Sequence, residues 1–369
     1  MTSRIGVNLL WLSPGVVGGS EQSTVASLRA LAGVAHPDID LRLFASRSLL
    51  DAHPALGTYD LDVLDLPLGS RPLRVAAESS WLARRTRGLD LVHHAGGTAP
   101  PVRSTPYVLT VHDLQPLEAA ATHGPLKRAY LRAVVPGSVR RARSVVVPSD
   151  FVRRSVLEQV DVAPERVRVV PHGVSTWEAA PQQEVEAAYH LDGPVVLYPA
   201  ITYPHKNHLT LVEAFARVLS DHADALLVLT GGTGAAEAEI AQAVGRLGVG
   251  ARVRRPGRVP ASHVAALYRC AAVVAVPSRY EGFGLPAAEA MAFGAPLVAS
   301  AATSLPEVVG DGGVLVEPDD VEGWASAISG LLGDSTERER LGAAGLARAG
   351  RYTWAANAQG LLAAYRDAL

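Results

Sequence analysis

At 369 residues the chain is too long for one ordinary core and suits two domains of about 150–200 residues each. Its 48% apolar and 19% charged content is that of a folded globular protein and excludes wholesale disorder. The net charge of −2 divides into 20 Lys/Arg against 16 Asp/Glu in residues 1–178 and 14 against 20 in residues 179–369, too small a basic excess for a nucleic-acid binder. Cys270 stands alone, so there is no intrachain disulfide framework, and its apolar surroundings at 268–276 suit a buried, inert thiol in a reducing compartment. No run of 18 apolar residues predicts a membrane span, and residues 4–12 read as a buried strand and not as a signal peptide. A cytoplasmic location is expected.

Short β-branched or leucine-rich runs alternate with amphipathic stretches along the chain. Strands are predicted at 4–12, 40–45, 61–66, 90–93, 106–111, 144–148 and 167–170, then at 194–199, 225–230, 251–254, 272–276, 296–300 and 313–316. Helical patterns between them make βαβ units, and two such series predict an α/β protein of two doubly wound, parallel-sheet domains. The polar, Gly- and Pro-bearing stretch 175–192 is predicted as the linker, giving domains 1–178 and 190–350. Trp354, Leu361, Leu362 and Tyr365 place a helix at 354–369. In doubly wound sheets ligands bind beyond the C-terminal strand ends, so a ligand is expected in a cleft between the two sheets.

Candidate chemistry follows the strand ends. Gly18-Gly19 follows the first strand and precedes a helix, where backbone amides can lie beside a phosphate or sugar, although the Gly-x-Gly-x-x-Gly fingerprint is absent. His112-Asp113 follows the strand ending at Val111. Lys206 is one of only two lysines among 34 basic residues and follows a strand end in Pro204-His205-Lys206-Asn207. A cation there can stabilise negative charge that develops on a bound ligand. Asn207 and His208 read as capping or packing residues, and Gly231-Gly232 closes a strand with room for a ligand. In 281–296, Glu281 stands in a loop with Gly282 and Gly284, Pro286 suits the first turn of a helix, and Glu289 lies inside that helix before Gly294 and Pro296 end it. Amides at such a helix start form an anion site flanked by two carboxylates able to take hydroxyls. No Cys/His ligand set stands out, so neither metal nor other cofactor is expected.

The 281–296 stretch resembles the Glu-x7-Glu signature of retaining, nucleotide-sugar-dependent glycosyltransferases of family 4 (group 1), which have the two-domain GT-B fold. Gly18-Gly19, His112-Asp113, Val147-Pro148-Ser149, residues 170–174 (Val-Pro-His-Gly-Val) and residues 204–207 agree in the order that family requires. The resemblance implies that helix 354–369 crosses back to the first domain. It implies that His112 contacts a donor-sugar hydroxyl while Asp113 fixes its loop. It further implies that Glu281 holds a sugar hydroxyl near the amides of Phe283, Gly284 and Leu285, and that Glu289 takes the ribose hydroxyls. The family commonly has Arg where His205 stands, which leaves open whether His205 brings charge or a neutral hydrogen bond. His172-Gly173 reads as structural.

The reading is a metal-independent hexosyltransferase using a front-face mechanism, with mannose from GDP-mannose favoured and a UDP-glucose or other UDP-sugar donor as the alternative. The acceptor would be a glycan, glycolipid or small molecule of a bacterial polysaccharide, O-antigen or glycolipid pathway. It would sit against first-domain loops such as 67–82 and 115–130. Arginine clusters at 84–87 and 140–154 keep peripheral contact with an anionic membrane open. A catalytically silent GT-B subunit and a GT-B epimerase are the rival readings.

Overall fold

The structure, a computed structural model, describes residues 2–15, 18–66, 71–100, 105–115 and 125–369. Much of the expected acceptor loops, 67–70 and 116–124, lies outside the described residues. The chain divides into two units, one of Met1–Gly173 with Thr353–Leu369 and one of Val174–Tyr352.

Among the described residues the first unit carries a seven-stranded sheet of β1 (Ser3–Asn8), β2 (Ile39–Ser46), β3 (Asp60–Leu64), β4 (Leu91–His94), β5 (Tyr107–Thr110), β6 (Ser144–Val147) and β7 (Val167–Val169). Their order is β3-β2-β1-β4-β5-β6-β7, and every pairing is parallel. Residues 9–12 are apolar yet leave the strand expected through 12. The buried Asn8 side chain accepts the Leu10 N–H at 3.1 Å and bends the chain out of the ladder. Leu9, Leu10 and Leu12 stay buried in the loop, so apolarity there reports core and not strand.

Helix Trp354–Ala368 completes this unit. Ala358, Leu361, Leu362 and Tyr365 join the core formed by β1, β2 and helix Gly19–Ala32. Asn357 donates to Pro171 O at 2.7 Å and accepts from Ser27 Oγ at 2.7 Å. Tyr365 Oη lies 2.8 Å from His93 Nδ1, and His93 Nε2 lies 2.7 Å from Thr110 Oγ1. Arg366 binds Asp38 through two nitrogens, at 2.7 and 2.9 Å. Gly173, expected to be structural, sits against Trp354, where a Cβ would come within 2.4 Å of its backbone nitrogen.

The second unit carries six parallel strands, β8 (Val195–Pro199), β9 (Leu226–Thr230), β10 (Val253–Gly257), β11 (Ala271–Val276), β12 (Leu297–Ser300) and β13 (Val314–Val316). Their order is β10-β9-β8-β11-β12-β13. The core strands are almost continuous Val/Leu/Ala because helices cover both faces of a parallel sheet. The linker expected at 175–192 is corrected. Val174 donates to Tyr352 O at 2.8 Å, Trp177 Nε1 to Ala261 O at 2.6 Å and Ala180 to Ser262 O at 3.0 Å. Helix Gln182–Tyr189 then buries Val185, so this polar stretch belongs to the second unit. Among the described residues no helix is long and apolar enough to cross a membrane.

Candidate active site

In the second sheet the strand order reverses between β8 and β11, the point at which doubly wound sheets open a crevice beyond their strand ends. Lys206 lies in the short turn Pro204–Lys206 after β8, and Glu281 in the loop after β11. Lys206 Nζ donates to Glu281 Oε1 at 2.6 Å, and the side chains keep 17% and 10% of their surface exposed. Ser278 Oγ donates to the same oxygen at 2.7 Å. Tyr198, fully buried in β8, sets its hydroxyl 3.0 Å from Ser278 Oγ and donates to Lys206 O at 2.9 Å. Burial and the nearby Glu281 charge hold this phenol well above its usual pKa, so it stays a donor. The Glu281 backbone is pinned from the loop after β12. Its N–H reaches Thr303 Oγ1 at 3.0 Å, and its carbonyl accepts from Ser304 Oγ at 2.9 Å.

The turn after Glu281 depends on Gly284. Its φ is 92°, and an added Cβ would lie 2.5 Å from Leu305 Cδ2. Gly284 O accepts the Ala287 and Ala288 N–H groups at 3.0 and 3.1 Å, which starts helix Leu285–Ala292 with Pro286 in its first turn. Phe283 is buried with its ring edge-on to Tyr352 at 5.3 Å. Leu285 is half-buried as the first helical residue. One turn on, half-buried Glu289 accepts the Tyr268 hydroxyl at 2.9 Å. Loss of water around this carboxyl pushes its pKa up to about 7, against the lowering effect of the Tyr268 hydrogen bond.

Two further loops reach the same sheet edge. Gly231, after β9, donates to Gly257 O at 2.8 Å at the end of β10. With φ 132° its missing Cβ would stand 2.3 Å from Ala200 O, so only glycine lets these backbones meet. Arg258 follows Gly257 and packs on Gly232. His205 stacks on Tyr203 with ring centroids 5.7 Å apart, and its carbonyl accepts the Arg279 N–H at 2.8 Å. Asn207, left-handed at φ 57°, donates to Pro318 O at 2.6 Å and accepts from Thr210 Oγ1 at 2.8 Å, a structural role.

The first unit holds Gly18, Gly19 and His112. Gly18 is the N-cap of helix Gly19–Ala32, and its carbonyl accepts the Glu21 N–H at 3.0 Å. The buried Glu21 carboxylate ties this turn down, accepting from Gly15 N at 3.0 Å and facing His53 Nε2 at 2.8 Å. His112 Nε2 lies 2.9 Å from Ala95 O, and the ring packs against Trp11 and His172 at 5.6 and 5.8 Å. Burial lowers its pKa to about 4 and keeps it neutral. With Nε2 protonated toward Ala95, Nδ1 is an acceptor, buried and without a partner among the described residues. His112 also lines a cavity of about 30 Å³ with Ser23, Thr24, His93 and Thr110, which has room for water.

The described residues hold no group of three or more His, Cys, Asp or Glu that could take a metal ion. Asp-x-Asp pairs do occur, against expectation, at 38/40 and 60/62, where Asp38 pairs with Arg366, Asp60 with Arg42 and Asp62 with Arg85. The half-buried Cys270 thiol is pushed up to about 11 and is inert. Sequence reasoning missed Tyr198, Ser278, Tyr268 and Glu21. A tyrosine inside an otherwise apolar buried run, such as Tyr198, was the available signal, because a buried hydroxyl needs a partner.

The family described as "Glycosyltransferase Family 4" matches residues 17–178, and "Glycosyl transferases group 1" matches residues 182–348. A D-inositol 3-phosphate glycosyltransferase of Segniliparus rotundus is 32% identical over 306 residues, which span 80% of this chain and 65% of that protein. The O-antigen chain mannosyltransferase B of Escherichia coli is 30% identical over 74% of this chain and 73% of its own length. Among solved structures, Anabaena HepE in complex with UDP and glucose superposes with a TM-score of 0.79 at 20% identity, covering 99% of each chain. Sucrose-phosphate synthase from Thermosynechococcus elongatus gives 0.78 at 23% identity, covering 99% of this chain and 98% of that one. The chain therefore belongs to the group 1, family 4 glycosyltransferases and is a glycosyltransferase of the GT-B fold.

Proposed function

We propose that the enzyme is a retaining hexosyltransferase that moves a hexose, with mannose from GDP-mannose favoured, from a nucleoside diphosphate to an acceptor hydroxyl in glycan or glycolipid synthesis, without a metal. The observation that carries this reading is the Lys206–Glu281 pair, 2.6 Å apart at the reversal point of the second sheet and beside the turn that opens helix Leu285–Ala292. Lys206, with His205 beside it, would meet the charge that grows on the departing β-phosphate. The amides of Phe283, Gly284 and Leu285 would support that anion at the helix start, and the Gly231 turn would admit the nucleotide. Glu281 would accept a hydroxyl of the transferring sugar, and Glu289 those of the ribose. Neutral His112 would accept a sugar hydroxyl at Nδ1, and Gly18 and Gly19 would present backbone to the donor. The departing phosphate oxygen would take the acceptor's proton on the face it leaves, so no enzymic nucleophile is required.

The similarity to an O-antigen mannosyltransferase supports the mannose reading. The similarity to D-inositol 3-phosphate glycosyltransferases supports a second acceptor class, a small phosphorylated polyol, which the basic excess of residues 1–178 would suit. Peripheral contact with an anionic membrane belongs to the glycolipid reading and would show as binding to anionic but not neutral vesicles.

Calorimetric titration with GDP, UDP, ADP and dTDP, with EDTA and then with magnesium, tests the donor assignment. Metal-independent preference for GDP is expected, and preference for UDP moves the donor to a UDP-sugar. Binding of none at millimolar concentration overturns the donor-site assignment and favours the silent-subunit reading. The anomeric configuration of the product, followed by NMR, tests retention.

A further inference from the structure

We propose that Tyr268 is a positioning residue for donor recognition: its hydroxyl fixes one oxygen of Glu289, leaving the other oxygen to select ligands that carry a ribose diol. The inference rests on Glu289 as the ribose acceptor. Tyr268 belongs to helix Ala261–Cys270 and reaches across to helix Leu285–Ala292, donating to Glu289 Oε2 at 2.9 Å, with Pro286 O at 3.4 Å. The ring cannot swing. It is fully buried, stacked on Phe293 at 5.3 Å and 11°, and met edge-on by Trp177 at 6.5 Å. Trp177 is itself edge-on to Phe293 at 5.0 Å and anchored through Nε1 to Ala261 O.

The polarity of the hydrogen bond is fixed as well. Burial and the Glu289 charge keep the proton on the phenol, so Tyr268 donates and Oε2 accepts. An ionised carboxylate accepts from the hydroxyls of a vicinal diol, whereas a protonated one must spend an oxygen as a donor. Apolar surroundings favour the protonated form, and the Tyr268 hydroxyl opposes them. The helices packed against this one, Leu305–Val309 and Ser335–Ala349, carry Glu307, Glu337 and Glu339 as their acids, and their arginines are engaged elsewhere. Arg340 pairs with Glu337, Arg338 caps Leu331 O and Leu332 O, and Arg348 donates to Val308 O and to Glu307 O. Arg269, on the helix of Tyr268, lies over the Phe293 ring, and Tyr198 is the next phenol near Tyr268.

The test measures binding of GDP and UDP, and of their 2′,3′-dideoxy counterparts, to the intact protein between pH 6 and 9. For the wild type, preference for the ribose form is expected to strengthen as pH rises through neutrality and to reach about tenfold. Tyr268→Phe keeps the ring stack. It should move the midpoint of that preference up by about one pH unit, with affinity for the dideoxy nucleotides and binding at pH 9 nearly unchanged. Glu289→Gln should remove the pH dependence and most of the preference, and it provides the comparison should Tyr268→Phe fold poorly. An unmoved midpoint in Tyr268→Phe overturns the role of Tyr268 while leaving the ribose assignment intact, whereas a preference that still titrates in Glu289→Gln overturns the assignment of the ribose to Glu289 as well. Equal binding of ribose and dideoxy forms by the wild type overturns both.

Discussion

Lys206 and Glu281 share one ion pair, so neither can be changed without altering the other's surroundings. Removing a single partner of a mostly buried pair leaves an uncompensated charge. Lys206→Ala is expected to lower kcat by about 10²–10³-fold, the size of losing one preorganised donor to a developing anion. Glu281→Gln should cost less than Glu281→Ala, because Ser278 and Lys206 can still find a carbonyl oxygen. The double variant Lys206→Ala/Glu281→Ala should lose less than the product of the single losses, which steady-state kinetics on all three will read. His112 behaves differently. With its pKa near 4 it has no proton to lose between pH 6 and 9, so its removal should lower kcat without changing the shape of the pH–rate profile in that window. The pair of acidic residues and the lone strand-end lysine were legible in the sequence because each is chemically out of place where it stands. Ser278 and Tyr198 were not legible, since a serine before a loop and a tyrosine in an apolar strand look like ordinary packing until the strands are paired.

At the level of elements, the strands were readable almost throughout, because strands buried on both faces are short apolar runs between polar turns. The failures have physical reasons. Residues 9–12 are core without being strand, since Asn8 turns the backbone, and the start of β10 moved from 251 to Val253 because 250–252 form a short helical turn. Polar residues 175–192 concealed helix Gln182–Tyr189, whose single buried face residue, Val185, is too faint a periodic signal. Gly284 makes a testable element, because both its φ of 92° and the 2.5 Å approach of Leu305 exclude a side chain. Gly284→Ala should destabilise the second unit by about 1–3 kcal/mol in chemical denaturation and weaken nucleotide binding by moving the start of helix Leu285–Ala292. Gly245, in a helix with open space around its Cα, is the control, and alanine there should be neutral or stabilising.

For the whole molecule, buried imidazoles set an acid limit. His93, His94, His112 and His172 of the first unit are held neutral by burial, with pKa values lowered to about 3 or 4 from 6.5. Because folding depresses these values, their unfolded forms take up protons first. Stability is therefore present above about pH 6.5 and is lost as pH falls from there toward 4. Thermal unfolding followed from pH 8 to 4 should show the melting temperature dropping in that window. His93→Gln should blunt the drop if it folds. Tyr365→Phe, which leaves His93 Nδ1 without its partner, should cost about 1–2 kcal/mol at pH 8. The helix that carries Tyr365 has a consequence for how the protein is made. Its residues complete the first unit's core, yet the ribosome reaches them only after synthesising all of Val174–Tyr352. The second unit can therefore finish folding while the first still lacks the helix that completes its core.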